Sequence, residues 1–220
     1  MKSKSKYFHD LGNDRWIAEC VFPGLKGGYF IEAGATNGLN GSGTLHLERE
    51  HGWRGLCVEV IPRQFAQIGK YRDCQVDNRA LWRESGQTLE FSHFPERSGR
   101  SGLTDLNVHA TMLRSEGTAE EILKVQSVTL ADLLAEHRAS QIIDYFCLDI
   151  EGAEPEVLGA FDFNGPYTIR AISIEGHACD EIMKAAGYRA VENPFTDVTF
   201  ETYWLHPDTP IAPTVNVLSD

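Results

Sequence analysis

The chain reads as an α/β protein built on a doubly wound, mostly parallel sheet with an antiparallel hairpin at one edge. Two patterns point there. Strand-like apolar runs alternate with helix-like segments along most of the 220 residues, an order that buries a sheet between two helical layers. The stretch GYRAVENPFTDVTFETYW (187–204) instead sets two strand runs on either side of Asn193-Pro194, which is a hairpin signal.

The elements follow in order. After a basic tail over 1–7, apolar positions Phe8, Leu11, Ile17, Val21 and Phe22 predict a helix ending near Pro23-Gly24. Residues 29–33 form the first strand. A helix over 42–51 is capped by Ser42 and stopped by Gly52. The second strand covers 56–60, and Pro62 opens the next helix. Strands are expected at 74–81 and 88–91. Between 92 and 118 periodicity is lost and Ser, Gly and His gather, which predicts a lid or an acceptor-binding loop. A strand at 125–128 leads into a helix opened by Thr129, with Asp132 three residues on. Strand 145–149 precedes a helix starting at Glu154-Pro155, and strand 171–175 precedes a helix over 179–186 that Gly187 ends. From Pro207 a loose tail is expected, and the whole chain reads as a single domain over 1–220.

Composition narrows the function. A net charge of −12 argues against a nucleic-acid surface, which needs clustered Lys and Arg. Cys20, Cys57, Cys74, Cys147 and Cys179 are odd in number and never spaced as CxxC, so they read as reduced structural thiols. No apolar run reaches membrane-spanning length, and MKSKSK is not followed by a signal-peptide core. A cytoplasmic protein with neither membrane nor nucleic acid as partner is expected. Self-association is left open.

The chemistry starts at FIEAGATNG (30–38). Gly34 and Gly38 permit a tight turn and close backbone approach, as in loops that cradle a nucleotide. The loop has no lysine, and Glu32 stands at its start. A carboxylate repels a pyrophosphate and attracts a cation. The nucleotide-like cofactor with positive charge and no phosphate is S-adenosylmethionine, so a methyltransferase is predicted. Acids end four predicted parallel strands, Glu32, Glu59, Asp149 and Glu175, at the edge where doubly wound sheets bind ligands. Glu59, closing the second strand, suits the two ribose hydroxyls. Asn78, in VDNRAL (76–81), suits the adenine. Asn37 and Ser42 complete the expected cofactor set of Glu32, Gly34, Gly38, Glu59, Asn78 and Asp149.

Taken together, GGYFIEAGATNG (27–38), GSGTLHLEREHGWRGLCVEV (41–60), VDNRAL (76–81) and CLDIEGAEPEVL (147–158) resemble the FkbM family of S-adenosylmethionine-dependent methyltransferases. The resemblance implies a class I methyltransferase (Rossmann-like) fold, with a seven-stranded sheet, helices on both faces and one antiparallel strand. It implies O-methylation of a sugar or polyketide hydroxyl, with cofactor contacts at Glu32, Gly34, Gly38, Glu59 and Asp149. The chain departs from many relatives at Ala35, where other class I loops have a second glycine, and at Gly43, where relatives often have asparagine.

A hydroxyl acceptor gains from a base, and His177 is the first candidate, followed by Asp149 and His93. The segment RSGRSGL (97–103) is expected to line the pocket for a glycan or small-molecule acceptor. A divalent metal is not expected. If one were present, Asp149, Glu151, Glu175 and His177 would hold it. The rival readings are a non-catalytic cofactor-binding module and an NAD-dependent oxidoreductase.

Overall fold

The computed structural model describes residues 6–210 and 215–218. Its strands are β1 (Tyr29–Ala33), β2 (Arg54–Val58), β3 (Gln75–Asp77), β4 (Ala80–Leu81), β5 (Thr88–His93), β6 (Gly102–Leu103), β7 (Glu121–Val128), β8 (Ile142–Ile143), β9 (Tyr145–Leu148), β10 (Thr168–Ile169), β11 (Ala171–Glu175), β12 (Arg189–Val191) and β13 (Glu201–Leu205). The helices are α1 (Asn13–Trp16), α2 (Leu45–His51), α3 (Pro62–Ile68), α4 (Ala110–Ser115), α5 (Leu130–Glu136), α6 (Glu154–Gly159) and α7 (Asp180–Ala185). A wide turn, Ile17–Val21, extends α1, and a tight helical stretch covers Pro95–Arg100.

Seven strands form the main sheet in the order β12-β13-β11-β9-β1-β2-β3. Neighbours from β11 to β3 are parallel, and β13 runs antiparallel to both β11 and β12. This is the class I methyltransferase sheet that the resemblance implies, with the edge hairpin where the sequence put it.

Alternation along the strands sorts the two cores. Ile31, Leu56, Val58, Phe146, Leu148 and Ile172 pack against α5, α6 and α7 on one face. On the other face Phe30, Cys57, Tyr145 and Cys147 pack against Trp16 and Ile17 of the first helix, Leu47 of α2 and Ile68 of α3. Two of the predicted ends hold: Gly52 ends α2 in the left-handed region, and Thr129 accepts from the Asp132 amide. The start of α2 moves to Leu45 with Thr44 at its N-cap, and Ser42 Oγ accepts from the amides of Thr44 and Leu45 in the turn before it.

Several expectations change. The first helix covers Asn13–Trp16 with its extension Ile17–Val21 rather than 8–22, and the second strand covers Arg54–Val58 rather than 56–60. The stretch 74–81 is two strands in different sheets, because β4 pairs with β7 rather than continuing β3 along β2. The strand at 125–128 begins earlier, at Glu121, and pairs with β5 over six residues. The segment 92–118 is therefore no structureless loop. It carries the tight turn at Pro95–Arg100, β6 and α4, inside a second sheet of order β4-β7-β5-β6. Residues 1–5 of the predicted basic tail, and 211–214 and 219–220 of the predicted C-terminal tail, lie outside the described residues. Among the described residues after 210, the Leu218 amide donates to the Ala190 carbonyl and the Asn216 carbonyl accepts from the Glu192 amide, beside β12. Among the described residues, no helix is long and apolar enough to cross a membrane.

One buried ion cluster ties these parts together. The Arg72 side chain, wholly inaccessible, pairs with Glu32 at 2.9 Å and with Glu48 of α2. It also donates to Ser42 and Thr44 at 3.0 and 2.7 Å. Removing one partner of such a pair leaves a buried charge unmatched. Arg72→Leu is expected to lower the unfolding free energy by about 3–5 kcal/mol in urea titrations. A loss below about 1 kcal/mol, the range of an exposed pair, would show that the cluster does not stabilise the fold in this way.

Candidate active site

A cavity of about 330 Å³ opens at the carboxyl ends of β1, β2 and β9, where doubly wound sheets bind ligands. Its walls come from separate parts of the chain. Gly34 and Thr36 follow β1, Glu59 and Ile61 follow β2, and Asp149 and Glu151 follow β9. The second sheet adds Phe91, Ser101 and Leu103, and the N-terminal segment adds His9, Asp10 and Leu11.

The loop after β1 owes its path to Gly34. This residue has φ +82°, and a Cβ there would lie 1.8 Å from the Asp149 carbonyl oxygen. Only glycine lets the two strand ends approach so closely. The amides of Gly34 and Ala35 both donate to the Val58 carbonyl, tying the loop to the end of β2. Gly38 serves packing instead, since a Cβ there would strike Arg72 and Ile68. Gly43 has a comparable reason: its Cβ would meet Cys147 Sγ at 2.7 Å, and its amide donates to Glu32.

Of the predicted cofactor residues, the structure brings Gly34, Glu59 and Asp149 to the cavity. Glu59 is buried and accepts from the Ile61 amide at 2.7 Å. Burial pushes its pKa up to about 7, against the pull of nearby backbone amides. Asp149 opens into the cavity at the end of β9. Its carboxyl pKa is raised well above the usual range by desolvation, then by the charges of Glu175 and Glu151, and it shares a hydrogen bond with Glu175.

The other predicted cofactor residues face elsewhere. Glu32 is a rung of β1 between Cys57 and Cys147, so its side chain stands off the sheet into the helical layer. There it meets Arg72, Ser42 and Thr44. The cation beside Glu32 is thus an arginine of the same chain. Ser42 is spent on Glu32 and on capping α2. Asn37 folds onto its own turn, accepting from the amides of Leu39 and Asn40. Asn78 is exposed, and Ala80 and Leu81 reach the cavity in its place.

The predicted bases divide as well. His177 is turned to solvent, with Nδ1 3.0 Å from Asp180 and Nε2 2.7 Å from the Thr199 carbonyl. Its pKa is raised, chiefly by Asp180. His93 is buried at the end of β5, 3.4 Å from Ser101 Oγ, and borders an adjoining groove with Arg63, Gln64 and Asn37. Burial lowers its pKa. The segment 97–103 supplies Ser98, Gly99, Ser101 and Leu103 to the cavity wall.

Sequence reasoning missed His109. Its Nε2 lies 3.1 Å from Glu151 Oε2, and it belongs to the segment that shows no periodicity. Glu151 itself has φ +63°, a strained position for a side chain, and is buried. Burial, then Glu175 and Glu154, raises its pKa to about 9. Glu154 is structural: its carboxylate accepts from the amides of Ile150 and Gly152 at 2.7 and 3.0 Å.

Comparison with known proteins bears on this site. The Methyltransferase FkbM domain model matches residues 32–190. No curated protein matches the chain. Among solved structures it is similar to a precorrin-6y C5,15-methyltransferase from Geobacter metallireducens GS-15, at 11% identity over 93% of this chain and 90% of that chain, with a TM-score of 0.42. It is also similar to the human methyltransferase 10 domain containing protein, at 15% identity over 89% and 79%, with a TM-score of 0.42. The family match spans well over half the chain and takes in the strand-end acids and the DIEG turn, and the chain belongs to the FkbM methyltransferase domain family.

Proposed function

We propose that the protein methylates a hydroxyl oxygen of a sugar, glycan or small secondary metabolite, using S-adenosylmethionine, in the cytoplasm. The observation that carries this reading is the set of acids on the cavity wall, with neither lysine nor arginine among its described residues. Asp149, Glu151 and Glu59 face one space at the carboxyl edge of the sheet, beside the apolar Ile61, Leu81 and Val60. A pyrophosphate would find no lysine or arginine among the described residues of this wall, which disfavours NAD. A ligand with a cationic end, a ribose diol and a flat apolar base suits the same wall. Asp149 would hold the cationic end, Glu59 the ribose hydroxyls, and Ile61 with Leu81 the base.

When bound, the cofactor supplies an electrophilic methyl group to the acceptor oxygen. The chain's part is orientation, exclusion of water and proton removal. Phe91 and Leu103 of the second sheet cover the cavity. Small polar residues at Ser98 and Ser101, and the adjoining groove with Asn37, Arg63 and Gln64, suit a hydroxylated acceptor.

Three measurements test this. S-adenosylhomocysteine at one hundred times its Kd is expected to stabilise the protein by about 2.7 kcal/mol. A flat response at saturation, with NAD stabilising instead, would overturn the assignment. Glu59→Ala is expected to keep the fold and weaken cofactor binding by about 1.5–3 kcal/mol for each ribose hydrogen bond lost. Unchanged affinity in calorimetry would remove Glu59 from the site.

The third concerns pH. The native pKa of Glu59, about 7, lies above its ordinary value of 4.5. Its contribution to stability is therefore complete below pH 4.5 and is lost as pH rises through 7. The loss is on the order of 3 kcal/mol. Glu59→Gln cannot ionise, so its stability relative to wild type should climb across that window. A difference that stays constant with pH would contradict the buried-acid reading.

A further inference from the structure

We propose that His109, Glu151 and Glu175 form a divalent-cation site bordering the cavity. One ligand atom from each residue lies within 4.8 Å of the other two, a spacing that a single ion can bridge. The decisive observation is independent of that clustering. Glu151 is only 7% exposed, and its Oε2 is buried without a hydrogen-bond partner among the described residues. His109 Nε2, at 3.1 Å, lies within ion-pair distance but off the line of a hydrogen bond. A buried carboxylate oxygen left in this way is costly unless a cation meets it.

The neighbouring acids have other duties. Glu154 could join Asp149 and Glu175 in a second cluster, but its oxygens already accept from Ile150 and Gly152. The first cluster keeps an unspent oxygen, and its position is built in by the fold. A Cβ at Gly152 would lie 2.4 Å from the Leu106 carbonyl, so the DIEG turn is packed tightly against the segment that carries His109.

One imidazole and two carboxylates suit a hard or borderline divalent ion, and the nitrogen favours manganese over magnesium. The ligand set differs from the sequence expectation at its histidine, where His109 replaces His177, and at Asp149, which faces the cavity. Because Glu151 lines the cavity, an ion held here would border the acceptor. That consequence rests on the methyltransferase reading. The binding of the ion does not.

The test is calorimetric titration of Mn²⁺ into the chelator-treated full chain. One saturable site is expected, weakened at least about tenfold in both Glu151→Gln and His109→Ala and unchanged in His177→Ala. Thermal midpoints in chelator check that each variant is folded, and Glu175→Gln replaces any that is not. No saturable binding by folded wild type, or equal affinity in the folded ligand variants, would overturn the site. S-adenosylhomocysteine affinity, measured in chelator on the same samples, reports the cofactor reading alone. A failed Mn²⁺ titration with intact S-adenosylhomocysteine binding would therefore reject only the metal site.

Discussion

The buried pairing of Arg72 with Glu32 is the contact on which the loop, the adjacent helix and the cavity floor all depend. Arg72 sits just past α3, yet it reaches the end of β1, the cap of α2 and the carbonyl of Gly38. A lone charge in that position would be expelled by its desolvation cost. Here the guanidinium meets two carboxylates and two hydroxyls, and its plane lies over the Phe30 ring at 5.1 Å. The Glu32 carboxylate is met in turn by Ser42, Thr44 and the Gly43 amide. The loop after β1 is therefore held at its far end, so Gly34 can face the cavity at its near end.

This arrangement separates two roles that look alike in sequence. Acids at strand ends divide by one or two positions into those inside the sheet and those beyond it. Glu32 is still within the ladder, with Cys57 and Cys147 as partners, so pleating sends it into the helical layer. Glu59 and Asp149 follow the last ladder residues, Val58 and Leu148, and both reach the open edge. The acids that line the cavity are therefore Glu59, Asp149 and Glu151, while Glu32 is paired with Arg72.

The main sheet was legible because each strand is an apolar run bounded by glycine, proline or a capping residue. Tyr29–Ala33 and Ala171–Glu175 were placed to the residue. The second sheet was legible only in part, through the strand runs at 88–91 and 125–128. Its strands β4 and β6 are two residues long, and β7 alternates Lys124, Gln126 and Ser127 with its apolar positions. Such strands are defined by their partners, β5 above all, rather than by their own periodicity. His109 was missed because it lies at the start of α4 in the segment 92–118, which the close approach of Gly152 to the Leu106 carbonyl brings beside Glu151. His177 looked plausible because it lies two residues past β11, but Asp180 and the Thr199 carbonyl hold it outward.

The inserted sheet also explains why this cavity can be chemically distinct within a common fold. The parallel sheet alone offers acids at an open edge, exposed to water. Packing Phe91, Leu103 and Val125 against Ile61 and Ala153 places a second apolar layer over that edge. The Glu59 and Glu151 carboxyls beneath it lose hydration, and burial leads the causes that raise both. The insert thereby turns a row of strand-end acids into a half-covered wall, and its own His109 stands at the boundary between the two sheets' contributions.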